Sequence, residues 1–133
     1  MRIEEKMNWK KNITVALVLV FALPAQARIN IVATIPDFAD IAKEVGGDKV
    51  KATSLVRPTQ DPHFVDAKPS FVVALNRADM LLLAGMELEV GWLPALLDGA
   101  RNTNIRPGGS GYVDCSGFIT PMGVQAVDRA KGD

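Results

Sequence analysis

Three short apolar runs alternate along the chain with three segments that carry apolar residues at helical spacing. "RINIVATI" (28–35), "DKVKATSLV" (48–56) and "MLLLAG" (80–85) have the length and the aliphatic or β-branched composition of strands. The third run is apolar throughout, which is typical of a strand covered on both faces in a parallel sheet. The order β-α-β-α-β-α with short connections predicts an α/β fold, an open and mostly parallel sheet flanked by helices with right-handed crossovers.

The first two intervening segments predict helices that each bury one face. In "PDFADIAKEVGG" the apolar residues recur at helical spacing before two glycines, which end the helix. Its predicted inward face consists of Phe38, Ile41, Ala42 and Val45. In "KPSFVVALNRAD" a proline suits the first helical turn. Its predicted inward face consists of Phe71, Val72, Leu75 and Ala78.

The third segment, "MELEVGWLPALLDGA" (86–100), is helical in composition, but Gly91 and Pro94 predict a bend or a break. Glu87 and Glu89 are two positions apart and are expected on a solvated face. Trp92, with the leucines that follow it, is expected in the core or in a contact between lobes. After residue 100 the chain is rich in Gly, Pro and Asn, and one further strand is expected around residues 112–115.

The first 27 residues predict a secretory signal peptide. Basic residues precede the apolar run "ITVALVLVFAL", and Ala25-Gln26-Ala27 has the A-x-A form of a cleavage site. A membrane anchor would need about 20 apolar residues, and Pro24 interrupts the run too early for that. The expected organisation is therefore a signal peptide at 1–27 and one mature domain at 28–133, located in the periplasm.

Charge and cysteine content exclude several classes of partner. The chain has 15 basic and 15 acidic residues, and the leader holds more basic than acidic ones, so no basic surface for nucleic acid is expected. No cysteine stands at the predicted cleavage site, so no lipid anchor is expected. The single cysteine, Cys115, cannot form an internal disulfide and is expected to be a small buried side chain.

The only histidine of the chain, His63, lies in the loop "RPTQDPHFVDAKPS", where Pro62 and Pro69 stiffen the backbone. This loop leaves the carboxyl end of the second predicted strand, the edge at which open α/β sheets bind ligands. Asp61 and Asp66 either ligate a metal with it or accept its second ring N–H and orient the imidazole. Equally, both are explained as solvated acids of the loop, with Asp61 in an Asx turn.

Enzyme motifs are incomplete. "GGSGY" around Ser110 lacks the last glycine of a G-x-S-x-G elbow, and Asp114 stands where G-x-G-x-x-G needs its final glycine. A pair of Cys115 and His63 lacks any neighbour in sequence that would lower the thiol pKa. A hydrolase using Asp61, His63 and Asp66 is a further hypothesis, and we expect no turnover from it. A tetrahedral metal site needs about four donors, and one histidine with nearby carboxylates does not supply a convincing set.

Several spaced motifs, taken in their order along the chain, resemble those of one protein family. They are Asp61-Pro62-His63, Lys68-Pro69-Ser70 before a helix, "NRAD" before the apolar strand and "LEVGWLP" after it. Together with "IVATIPDFADIAKEVGGDKVKATSLV", they resemble the N-terminal lobe of the zinc and manganese solute-binding proteins of ABC importers. The similarity covers nearly all of the predicted mature chain.

Such receptors have two α/β lobes joined by a long helix, with the metal held between them. The resemblance implies that His63 is the first ligand of a Zn²⁺ or Mn²⁺ ion carried as cargo, and that the other ligands and the second lobe are absent from this chain. It implies capture of the ion and delivery to the ABC permease in the inner membrane by a monomer that is not an enzyme. The alternative is a truncated interaction or structural domain that keeps the receptor fold without binding metal.

Overall fold

The computed structural model describes residues 27–122, so nearly all of the predicted signal peptide lies outside the described residues. The described part contains one sheet of four strands, and every neighbouring pair in it is parallel. The strands are β1 (Ile29–Ala33), β2 (Val50–Ser54), β3 (Met80–Leu83) and β4 (Tyr112–Asp114), in the order β2-β1-β3-β4. The predicted open parallel α/β sheet is confirmed.

In the described part of the chain three α-helices accompany the sheet, namely α1 (Pro36–Gly46), α2 (Pro69–Asn76) and α3 (Leu93–Ala100). Each has a proline in its first two positions. Proline fits there because its fixed φ suits the helix and the first N–H groups of a helix need no partner within it. Short 3₁₀ turns occupy residues 47–49, 103–105 and 115–118.

Both faces of the sheet are covered, as the apolar run of β3 predicts. Leu81 and Leu83 belong to the large core under α2 and α3, while Met80 and Leu82 pack against the smaller core under α1. The predicted inward face of α2 is also confirmed. Leu75 is fully buried, and the other predicted members are buried or packed against the same core.

The predicted inward face of α1 is wrong for two of its four residues. Ile41 is 58% exposed and Val45 is 84% exposed, whereas Ala39 is buried. Phe38 and Ala42 pack against the small core as predicted. The helix therefore contacts the sheet through a narrow stripe that includes two alanines, whose small side chains leave room for close packing on β1 and β2.

The segment before α3 differs from the prediction. Residues 86–92 form turns, and the helix begins only at Leu93, with Pro94 in its first turn. Met86 and Glu87 have positive φ values of 53° and 67°, which a right-handed helix cannot include. The predicted break is thus confirmed, and the predicted helix before it is wrong. Along residues 27–122 no helix combines the length and the apolar character that crossing a membrane requires.

Candidate metal centre

His63 lies at the carboxyl edge of the sheet, as predicted. The backbone continues past β2 with the bonds Leu55 N–Ala33 O at 2.9 Å and Val56 N–Thr34 O at 3.1 Å. The chain then leaves the sheet, and residues 57–68 form the loop that carries the histidine before α2 begins. The imidazole is 63% exposed, so it faces solvent at the edge where parallel sheets bind ligands.

One carboxylate oxygen organises this loop. Asp61 Oδ1 accepts the backbone N–H of His63 at 2.9 Å, which closes an Asx turn, and the same atom lies 2.9 Å from His63 Nδ1. These hydrogen bonds, the backbone one first, hold the pKa of Asp61 below its usual value. The two roles considered for Asp61, turn former and orienter of the ring, therefore coexist on one atom.

The bond to Asp61 decides which nitrogen of the ring can bind a ligand. With Nδ1 on the carboxylate as donor, the neutral tautomer carries its lone pair on Nε2. The exposed Phe64 ring stands beside it, with the ring centroids 6.4 Å apart. Within the described residues no three His, Cys, Asp or Glu side chains gather into a metal-binding group, so Asp66 does not join His63 and Asp61 in one.

Trp92 lies directly under the loop. It is 4% exposed, and its indole Nε1 donates to the carbonyl oxygen of Pro62 at 2.8 Å. The expectation of a core tryptophan is confirmed, and the ring has a polar function that the sequence did not indicate. It connects the core to the residue immediately before His63.

Glu89, at this edge of the sheet, is another residue that the sequence interpretation placed wrongly. It is 3% exposed rather than solvated, and its carboxylate accepts hydrogen bonds from three donors. These are Thr34 Oγ1 at 2.6 Å, Ala84 N at 2.7 Å and Gly85 N at 3.2 Å. Spacing within a presumed helix gave no indication of this, because the segment is not helical. The motif "LEVGWLP", which carries the family resemblance, was the available signal.

The candidate nucleophiles have no activating neighbours among the described residues. Burial, followed by the charges of Asp114 and Glu89, raises the pKa of the partly buried Cys115 thiol. Ser110 Oγ donates to Asn104 Oδ1 at 2.6 Å and not to a base. The prediction that nothing lowers the thiol pKa is confirmed.

Described residues line cavities on both sides of the carboxyl edge of the sheet. One of about 390 Å³ lies between the start of α1 and the histidine loop, with Asp40, Arg57 and Pro62 in its lining. The other, of about 360 Å³, lies beyond β3 and β4, next to Glu89 and Tyr112. The fold is thus an open parallel α/β sheet with an oriented, exposed imidazole at the edge where such sheets bind ligands.

Comparison with known proteins identifies the family. The chain belongs to the family described as ZnuA, zinc-uptake complex component A, periplasmic, which matches residues 31–130. The resemblance stated from the sequence motifs is thereby confirmed.

Individual relatives are similar over part of their length. The manganese ABC transporter substrate-binding lipoprotein scaA of Streptococcus gordonii is 35% identical over 80 residues, which are 58% of this chain and 26% of that protein. The manganese-binding lipoprotein MntA of Bacillus subtilis is 38% identical over 65 residues, 49% of this chain and 21% of that protein. The periplasmic zinc-binding protein TroA from Treponema pallidum superposes with a TM-score of 0.52 at 28% identity, over 58% of this chain and 27% of that one. The chain thus spans about a quarter of the length of these relatives.

Proposed function

We propose that this chain is the N-terminal lobe of an extracytoplasmic receptor of an ABC importer, and that His63 is the first ligand of its cargo, Zn²⁺ or Mn²⁺. The observation that carries the proposal is the orientation of the ring. Asp61 holds Nδ1 at 2.9 Å, and the Nε2 lone pair of this solvent-exposed imidazole at the edge of the sheet is left to bind a ligand. Membership of a zinc-uptake family favours this function over a domain that keeps the fold without binding metal.

The chemistry of the pair suits the proposed cargo. A carboxylate that accepts the far ring N–H fixes the tautomer of a metal-binding histidine and increases the basicity of the ligating nitrogen. Neutral imidazole nitrogen is a good ligand for Zn²⁺, and a larger share of oxygen ligands suits Mn²⁺. No three His, Cys, Asp or Glu side chains gather into a metal-binding group among residues 27–122, so the remaining ligands are proposed to come from outside the described part of the chain.

The proposed activity is capture and delivery without chemical change. The receptor would act in the periplasm as a monomer and pass its ion to the permease in the inner membrane. No bond is made or broken, so the chain is not an enzyme, and no nucleic acid takes part. Residues 1–27 would serve as a signal peptide and residues 28–133 as the lobe. The manganese-binding relatives scaA and MntA are lipoproteins, so the absence of a lipid anchor has no support from them and stays a prediction from the sequence.

The substitution His63→Ala tests the proposal in the complete gene product. Loss of one ligating nitrogen should weaken Zn²⁺ or Mn²⁺ binding by at least about tenfold in titration calorimetry. Thr59→Ala, at an exposed position of the same loop, is the matched control and should leave the affinity unchanged. Equal affinities of the unsubstituted protein and the His63 variant would refute the assignment.

A further inference from the structure

The turn of residues 86–92 lies against the backbone of the histidine loop. Trp92, the last residue of the turn, donates its indole N–H to the carbonyl oxygen of Pro62 at 2.8 Å. Gly91 of the same turn comes close enough that a Cβ there would stand 3.8 Å from the carbonyl oxygen of His63. The position of the exposed histidine is therefore set partly by a turn that lies 30 residues further along the chain and has two buried side chains, Glu89 and Trp92.

Glu89 fixes that turn in two ways. Its carboxylate accepts from Thr34 at the end of β1 and from the backbone of Ala84 and Gly85 at the end of β3. Its own carbonyl accepts the backbone N–H groups of Trp92 at 3.2 Å and Leu93 at 3.0 Å. One residue thus connects the ends of two central strands to the turn that carries the indole.

The bonding of this carboxylate is unusual for an acid. None of the ion pairs found among residues 27–122 includes Glu89, and its carboxylate oxygens accept from three hydrogen-bond donors instead. A buried carboxylate costs free energy unless its oxygens are satisfied, and a buried donor left without its acceptor also costs free energy. The geometry of the turn is consequently fixed closely, because any rotation of the turn would break several of these bonds together.

We propose that Glu89 and Trp92 are positioning residues that hold the loop of His63 in its metal-binding arrangement. Neither side chain has a hydrogen bond to the imidazole, whose ring nitrogen Nδ1 pairs with Asp61. They act through the path from the ends of β1 and β3 to Glu89, then to Trp92, Pro62 and His63. The part of this inference that concerns metal rests on the function proposed above. A ligand whose backbone is already fixed loses less conformational freedom on binding, so the affinity is higher.

Trp92→Phe in the complete gene product tests the positioning directly, because it removes the indole N–H and keeps an aromatic ring. The first measurement is the ¹⁵N relaxation order parameter of the His63 amide without metal. We expect this order parameter to fall from ~0.85, typical of rigid backbone, toward the ~0.6 of flexible backbone. The second is the Zn²⁺ and Mn²⁺ affinity, which should fall roughly threefold to tenfold, the range expected for one net hydrogen bond.

Leu96→Val is the matched control, since Leu96 lies in the same core cluster and makes no bond to the loop. It should lower global stability without changing the His63 order parameter or the affinity. Glu89→Gln keeps one acceptor oxygen and should give a smaller effect at His63 than Glu89→Ala. If the alanine variant does not fold, the glutamine variant carries this part of the test.

The outcomes separate the two proposals. An unsubstituted protein that binds neither metal refutes the proposed function, and the relaxation data alone then decide the positioning. An unchanged His63 order parameter in Trp92→Phe overturns the proposed positioning role. A fall of the order parameter in Leu96→Val equal to that in Trp92→Phe overturns it as well. A Glu89→Gln variant with unchanged order at His63 removes Glu89 from the path.

Discussion

At the scale of single residues, Asp61 has two roles that are usually treated as alternatives. The sequence places it two positions before His63 and next to Pro62, which is compatible with an Asx turn or with a partner for the imidazole. The turn brings the backbone N–H and the ring Nδ1 of His63 to the same oxygen. Because the short loop forms both bonds together, neither role excludes the other. Sequence alone lacks the loop conformation that decides this.

Tyr112 permits a direct measurement of electrostatics beside Glu89, because it is the only tyrosine of the chain. Burial first, and then the charges of Asp114 and Glu89, raise its pKa above the usual value of 10.0. Folding therefore favours the neutral phenol, so this contribution to stability is complete below the unfolded pKa and is lost as pH rises through the higher folded one. Absorbance at 295 nm should show a later midpoint in the native chain than in urea. Coincident midpoints would contradict the expectation.

At the scale of secondary-structure elements, periodicity predicted which segments fold and did less well on their orientation. α1 was found from its apolar spacing, but Ile41 and Val45 face solvent because the helix rests on the sheet through Ala39 and its neighbours. Periodicity indicates an apolar stripe without indicating how much of it the sheet can cover. It also failed before α3, where the positive φ values and the strand-end bonds of Glu89 replace the helix with turns. Those bonds join distant parts of the chain, which a local pattern does not contain.

The exit of β3 depends on a glycine. Gly85 has φ 78°, and a Cβ there would collide with the side chains of Asp114 and Ser116 at the end of β4. Gly85→Ala should therefore lower the free energy of unfolding by at least about 1–2 kcal/mol, from left-handed backbone strain with the collision added. Urea unfolding measures this loss.

Gly117→Ala provides the control for that substitution, because nothing lies within 4 Å of a Cβ at that position. Its effect should stay within about 0.5 kcal/mol, as for ordinary surface substitutions. An equally large loss in both variants would show that the β3 exit has no special requirement for glycine.

At the scale of the whole molecule, the sheet separates two cores of unequal size within residues 27–122. Under α2 and α3 the buried cluster has 13 members, against four under α1. The histidine loop is attached to the larger core, because Trp92, whose indole donates to the Pro62 carbonyl, is a member of that cluster. The proposed metal ligand is thus attached to the more extensively packed face of the sheet, and we expect it to be among the last parts of the edge to loosen as the fold weakens.

Two neighbouring leucines of β3 test this asymmetry, because they point to opposite faces of the same strand. Leu81 is fully buried in the large core, and Leu82 is partly buried against the small one. Leu81→Ala should cost about 2–5 kcal/mol of unfolding free energy, the usual range for a buried leucine. Leu82→Ala should cost less, because its side chain loses less buried area and leaves a more open site. Urea unfolding curves with similar slopes allow the midpoints to be compared directly. If Leu82→Ala lowers the free energy of unfolding as much as Leu81→Ala or more, the α1 face contributes as much to stability as the face that carries the histidine loop.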